Sequence, residues 1–142
     1  MRPNIRTPKE QAAVEEAGIM AKDFFVRWRT TFAEAHEFTL VARSLHVPDG
    51  SRDMIVTTEP NLLDAVPIIA MRPVLDNDNA RKSAEGFFAE YREKFDHQYH
   101  YTFVARARNR KIVPHNDMVV STEENPEEAI VVLRNHTAFR VR

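Results

Sequence analysis

The chain repeats itself. Ala21, Phe24, Phe25, Arg29, Phe32, Thr39, Val41, Ala42 and Arg43 recur about 63 residues later as Ala84, Phe87, Phe88, Arg92, Phe95, Thr102, Val104, Ala105 and Arg106. After a shift of one position, Asp53, Met54, Val56, Thr58, Glu59, Asn61 and Ala65 return as Asp117, Met118, Val120, Thr122, Glu123, Asn125 and Ala129. Roughly two aligned positions in five are identical, far above the one in sixteen or so of unrelated segments. A sequence of this kind specifies one supersecondary unit used twice. The expected organisation is a single domain of two repeats, about residues 7–74 and 76–142, related by a pseudo-twofold axis.

Each copy reads as helix, strand, strand, short helix, strand. Thr7, Pro8 and Glu10 suit a capped helix start, and Ala13, Ala17, Met20, Phe24, Trp28, Phe32 and Ala35 then mark one apolar stripe at helical spacing. Ala84, Phe87, Phe88, Tyr91 and Phe95 repeat the stripe on a shorter second helix behind the caps offered by Asp76 to Asn79. The first helix overhangs by about two turns, and its extra apolar positions are expected to cover the other repeat or a second subunit. The aromatic stripes are read as core packing.

Residues 38–45 and 101–108 alternate as strands. Phe38, Leu40 and Ala42 match Tyr101, Phe103 and Ala105 on a face suited to the helices. Thr39, Val41, Arg43 and Thr102, Val104, Arg106 form the opposite face. Asn61 and Asn125 read as caps of short helices, and residues 68–74 and 137–142 as the closing strands. The fold class expected is α+β, an antiparallel sheet with two long helices packed on one face and the other face uncovered.

The 142-residue length allows a single well-buried core. A formal charge of -1 gives no global attraction to nucleic acid or membrane. The absence of cysteine removes disulfides, thiolate ligands and thiol nucleophiles. Three glycines, Gly18, Gly50 and Gly86, are too few and too scattered for a phosphate-cradling loop or a nucleophile elbow. No signal-type or membrane-spanning apolar run appears, so a cytoplasmic location is expected.

The candidate binding residues are Arg43, Arg106, Arg108, Arg110 and Lys111, with Arg72, Arg140 and Arg142 close in the assumed topology. Guanidinium groups on an open sheet face bind phosphates or carboxylates bidentately; equally, they pair with acidic neighbours of their own chain. His97 and His100, three residues apart, suit two ligands on a helix face, but no third ligand is apparent, so no metal or cofactor is assigned. No nucleophile, base and orienting residue converge by spacing. These features point to a non-enzymatic protein-interaction module, an adaptor or inhibitor using the arginine-bearing sheet face or a strand edge. Its expected partner is another protein or an acidic surface, and homodimers are compatible with it. The alternatives are a small-molecule-binding protein or small enzyme with a pocket between the repeats, and nucleic-acid binding on the basic face. The second of these is less favoured because the aromatics fall on the helix side.

Overall fold

The computed structural model describes residues 8–31, 36–45, 53–71, 78–94, 98–107, 117–135 and 139–140. Helix α1 (Pro8–Thr31) leads into strands β1 (His36–Ser44) and β2 (Met54–Thr57). A single 3-10 turn (Leu62–Ala65) then runs directly into helix α2 (Val66–Met71). Helix α3 (Asp78–Lys94), strands β3 (Tyr99–Ala107) and β4 (Met118–Ser121), helix α4 (Glu127–Asn135) and strand β5 (Phe139–Arg140) follow. The protein is thus mixed α+β. No helix among the described residues is long and apolar enough to cross a membrane.

The strands form one continuous sheet in the order β4-β3-β1-β2-β5. Four strands are antiparallel; β5 adds in parallel beside β2, with Val56 opposite Phe139. The central pair, β1 and β3, runs from His36 opposite Ala107 to Ser44 opposite Tyr99.

Strand alternation divides the interior into two cores, because successive side chains point to opposite faces. On one side Phe38, Leu40, Ala42, Tyr101, Phe103 and Ala105 pack with Ala17, Ala21, Phe24, Phe25 and Trp28 of α1 and Ala84, Phe87, Phe88 and Tyr91 of α3. The seam between the helices is aromatic: the Phe24 ring stacks on Phe87 at 4.4 Å and meets Phe103 edge-on at 5.0 Å. The helix stripes read from the sequence therefore land on the predicted sheet face. Phe32, Ala35 and Phe95 lie outside the described residues.

The opposite face is not uncovered, as the sequence suggested. Val41, Ile55, Val104 and Val119 pack under Leu62, Ala65, Ile68, Ile69, Ala129, Ile130, Val132 and Leu133 of the 3-10 turn, α2 and α4. The expectation of a strand at 68–74 fails for the same reason. Leu62, Ala65, Ile68 and Ile69 are spaced three or four apart, and winding them helically puts all four on the sheet, whereas an extended chain would alternate Ile68 and Ile69 to opposite sides. Residues 72–74 lie outside the described residues. The closing strand at 137–142 is seen as β5.

Candidate functional site

Arg43 and Arg106 emerge near the ends of the two central strands, on the face carrying Val41 and Val104. Neither presents a bare guanidinium. Arg43 Nε and Nη2 donate to Glu123 Oε2 and Oε1 at 2.6 and 2.8 Å. Arg106 Nε and Nη2 donate to Glu59 Oε2 and Oε1, both at 2.7 Å. Each is a bidentate fork, the geometry in which a guanidinium binds a carboxylate most strongly. The Arg106 pair is the more enclosed, with side-chain exposures of 15% for Arg106 and 1% for Glu59, and Asp64 Oδ2 lies 3.8 Å from its Nη2.

Hydrogen bonding to the carboxylates raises both arginines above their ordinary value, although burial acts against it. Burial pushes the Glu59 carboxyl up, and the Arg106 hydrogen bonds reverse this only in part. Both carboxylates are delivered by short hydroxyl-lined turns. Thr57 Oγ1 accepts from Glu59 N at 3.0 Å, and Ser121 Oγ accepts from Glu123 N at 3.0 Å. Those hydroxyls in turn meet Thr39 and Thr102 across the sheet, each at 2.8 Å. Each glutamate is thereby fixed at a strand end opposite an arginine from a distant part of the chain. Chemically the two sites are closed cross-links.

Arg108, Arg110 and Lys111, the remaining predicted binding residues, lie outside the described residues, as do Arg72 and Arg142. Strand β5 contains Arg140. The expected helical pairing of His97 with His100 does not form: His100 is on strand β3, its Nδ1 3.3 Å from Thr122 Oγ1, and His97 is not described. Among the described residues no group of three or more His, Asp or Glu side chains has the arrangement of a metal site. Sequence reasoning noted that Glu59 and Glu123 recur but missed their role. The available signal was that Arg43 and Arg106 recur in the same frame, so one cross-pairing implies the other.

The solvent-facing exterior has a different character. The 3-10 turn and α2 contain one charged residue, Asp64, and expose Leu63, Pro67 and Ala70. Helix α4, packed beside α2, exposes Glu127, Glu128, Val131, Arg134 and Asn135. Leu63 is 50% and Val131 54% exposed. Comparison with protein-family models, curated proteins and solved structures found no match.

Proposed function

We propose that the chain is a non-enzymatic protein-interaction module, an adaptor or inhibitor, that receives a partner protein on the apolar exterior of the 3-10 turn and α2, extended by Val131 of α4. The observation that carries this reading is the run Leu63, Pro67 and Ala70, exposed and without a charge among them. Contiguous apolar surface of this kind marks interaction sites on soluble folds. An acidic partner at Arg43 or Arg106 would have to displace Glu123 or Glu59 from a bidentate pair, so the partner's contact is assigned to the helix exterior.

The same proposal takes the scaffold as an internal duplication about a pseudo-twofold axis between β1 and β3. Its support is correspondence in bonding as well as in residues. Arg29 lies over the Phe38 ring and Arg92 over the Tyr101 ring, at 4.9 and 5.2 Å. Phe38 N donates to Thr58 Oγ1 and Tyr101 N to Thr122 Oγ1, each at 2.8 Å. Thr39 stands opposite Val104 and Val41 opposite Thr102, a register that exchanging the two copies leaves unchanged. Within that frame Glu127 occupies the place of Leu63, so a charged residue is compatible with the scaffold there and the apolar one is available for binding.

Native mass spectrometry of gently purified protein tests the reading. A stoichiometric complex with a different protein is expected, lost in Leu63→Asp with Val131→Asp. A metabolite- or metal-sized mass filling much of the sample would overturn it in favour of a ligand-binding function.

A further inference from the structure

Helix α1 carries a second apolar stripe that its own fold does not use. Ala12, Ile19 and Val26 recur every seven residues, and all three are exposed, Ile19 at 69% and Val26 at 49%. They lie on the side of α1 away from the buried Ala17, Ala21, Phe24, Phe25 and Trp28. The neighbouring helix supplies an internal control. Where the sequence repeat aligns α1 with α3, Ile19 and Val26 correspond to Lys82 and Ala89, both exposed. A helix in the same layer thus does without branched apolar side chains at those places.

The charges beside the stripe define what fits it. The first half of α1 carries Glu10, Glu15 and Glu16 against Lys9, and the second half carries Lys22, Arg27 and Arg29 against Asp23. A helix that is acidic at one end and basic at the other complements itself when turned end for end, and the helix dipoles favour the same orientation. A seven-residue apolar spacing is the pattern by which paired helices meet. The geometry points to a second copy of this chain, docked through α1 in antiparallel, with Ile19 of each copy against Val26 of the other and Lys22 against Asp23 about the twofold axis. A seam about 36 Å long and one helix wide is small beside the roughly 800 Å² per partner of a standard interface, so the dimer is weak, in the micromolar range.

Sedimentation analysis of the purified full chain across ~1–300 μM tests this, with circular dichroism to verify folding. Wild type should pass from monomer to dimer with concentration, and Ile19→Glu should weaken association at least ~10-fold; because the site is exposed, it should do so without unfolding the chain. Lys22→Asp and Asp23→Lys should each weaken the dimer several-fold, and the two together should restore it, since only antiparallel pairing brings each against the other. A wild type that stays monomeric throughout, an Ile19→Glu dimer as tight as wild type, or no recovery in the charge swap overturns the inference. None of these outcomes bears on the heteromeric partner of the α2 exterior, which is read from a complex of two different proteins.

Discussion

Replacing Arg106 with Met should expose how the sheet is cross-linked. The substitution keeps most of the aliphatic volume but strips two hydrogen bonds at 2.7 Å from a carboxylate that is 1% exposed. Breaking a buried pair from one side costs about 3–5 kcal/mol, because the remaining charge is left desolvated. Arg106 itself is 15% exposed, so water reaches the vacated position and the loss should fall near the lower figure, ~3 kcal/mol at pH 8. In urea unfolding with m near 2 kcal/mol/M, that moves the midpoint down by about 1.5 M.

The pH dependence follows from the direction of the Glu59 shift. Its folded carboxyl holds a proton more tightly than the ordinary value of 4.5, mainly through burial. Its contribution to stability is therefore greatest below that value and falls as the pH rises through the folded pKa. Without Arg106 the folded pKa rises further, so the penalty of Arg106→Met should be small near pH 4.5 and grow by up to about 1.4 kcal/mol per pH unit above it until Glu59 ionises. Adding Glu59→Leu removes the stranded carboxylate and should recover most of the loss. A single-variant penalty below about 1 kcal/mol, a penalty independent of pH, or a double variant no more stable than Arg106→Met would refute the reasoning.

Other perturbations separate the remaining contributions. Thr57→Val removes a hydroxyl that donates to Phe38 O at 3.0 Å and accepts from Glu59 N, so denaturation should show a loss of about 1–3 kcal/mol, while Thr57→Ser should retain most of the stability. Ser121→Ala, at the partly exposed counterpart, should cost less than Thr57→Val by the same measurement because water reaches the groups it leaves behind. Phe24→Ala empties the junction of Phe87, Trp28 and Phe103 and should cost about 3–5 kcal/mol. Trp28, the only tryptophan, is buried beside Phe24, so its fluorescence in Phe24→Ala should shift to longer wavelength if water enters the cavity.

The helix faces and strand faces were legible because they rest on local periodicity. Phe24, Trp28, Phe87 and Tyr91 fall at helical spacing, and Phe38, Leu40 and Ala42 at strand spacing, on residues that are in fact buried together. The second helical layer was not legible. Val66-Pro67-Ile68-Ile69 is a short apolar run, which periodicity alone does not assign to strand or helix, and the tertiary surface offered by Val41 and Val104 decided it. That layer turned an expected open, basic sheet face into a covered one. The partners of Arg43 and Arg106 were hidden for another reason: they lie 80 and 47 residues away, and only the β1–β3 register brings them within reach. Exposure of Ile19 and Leu63 is likewise a property of the assembled surface, since an isolated leucine or isoleucine in a sequence carries no mark of which side it faces.

The most direct test of the interaction reading is quantitative co-purification from the producing cells, with wild type, Leu63→Asp with Val131→Asp, and Lys82→Asp as a surface control at matched folding stability. The account predicts one protein recovered at fixed stoichiometry with wild type and with the control, and reduced at least ~10-fold with the apolar-face variant. Equal recovery by all three, or a purified chain that instead turns over or retains a small molecule, would contradict it.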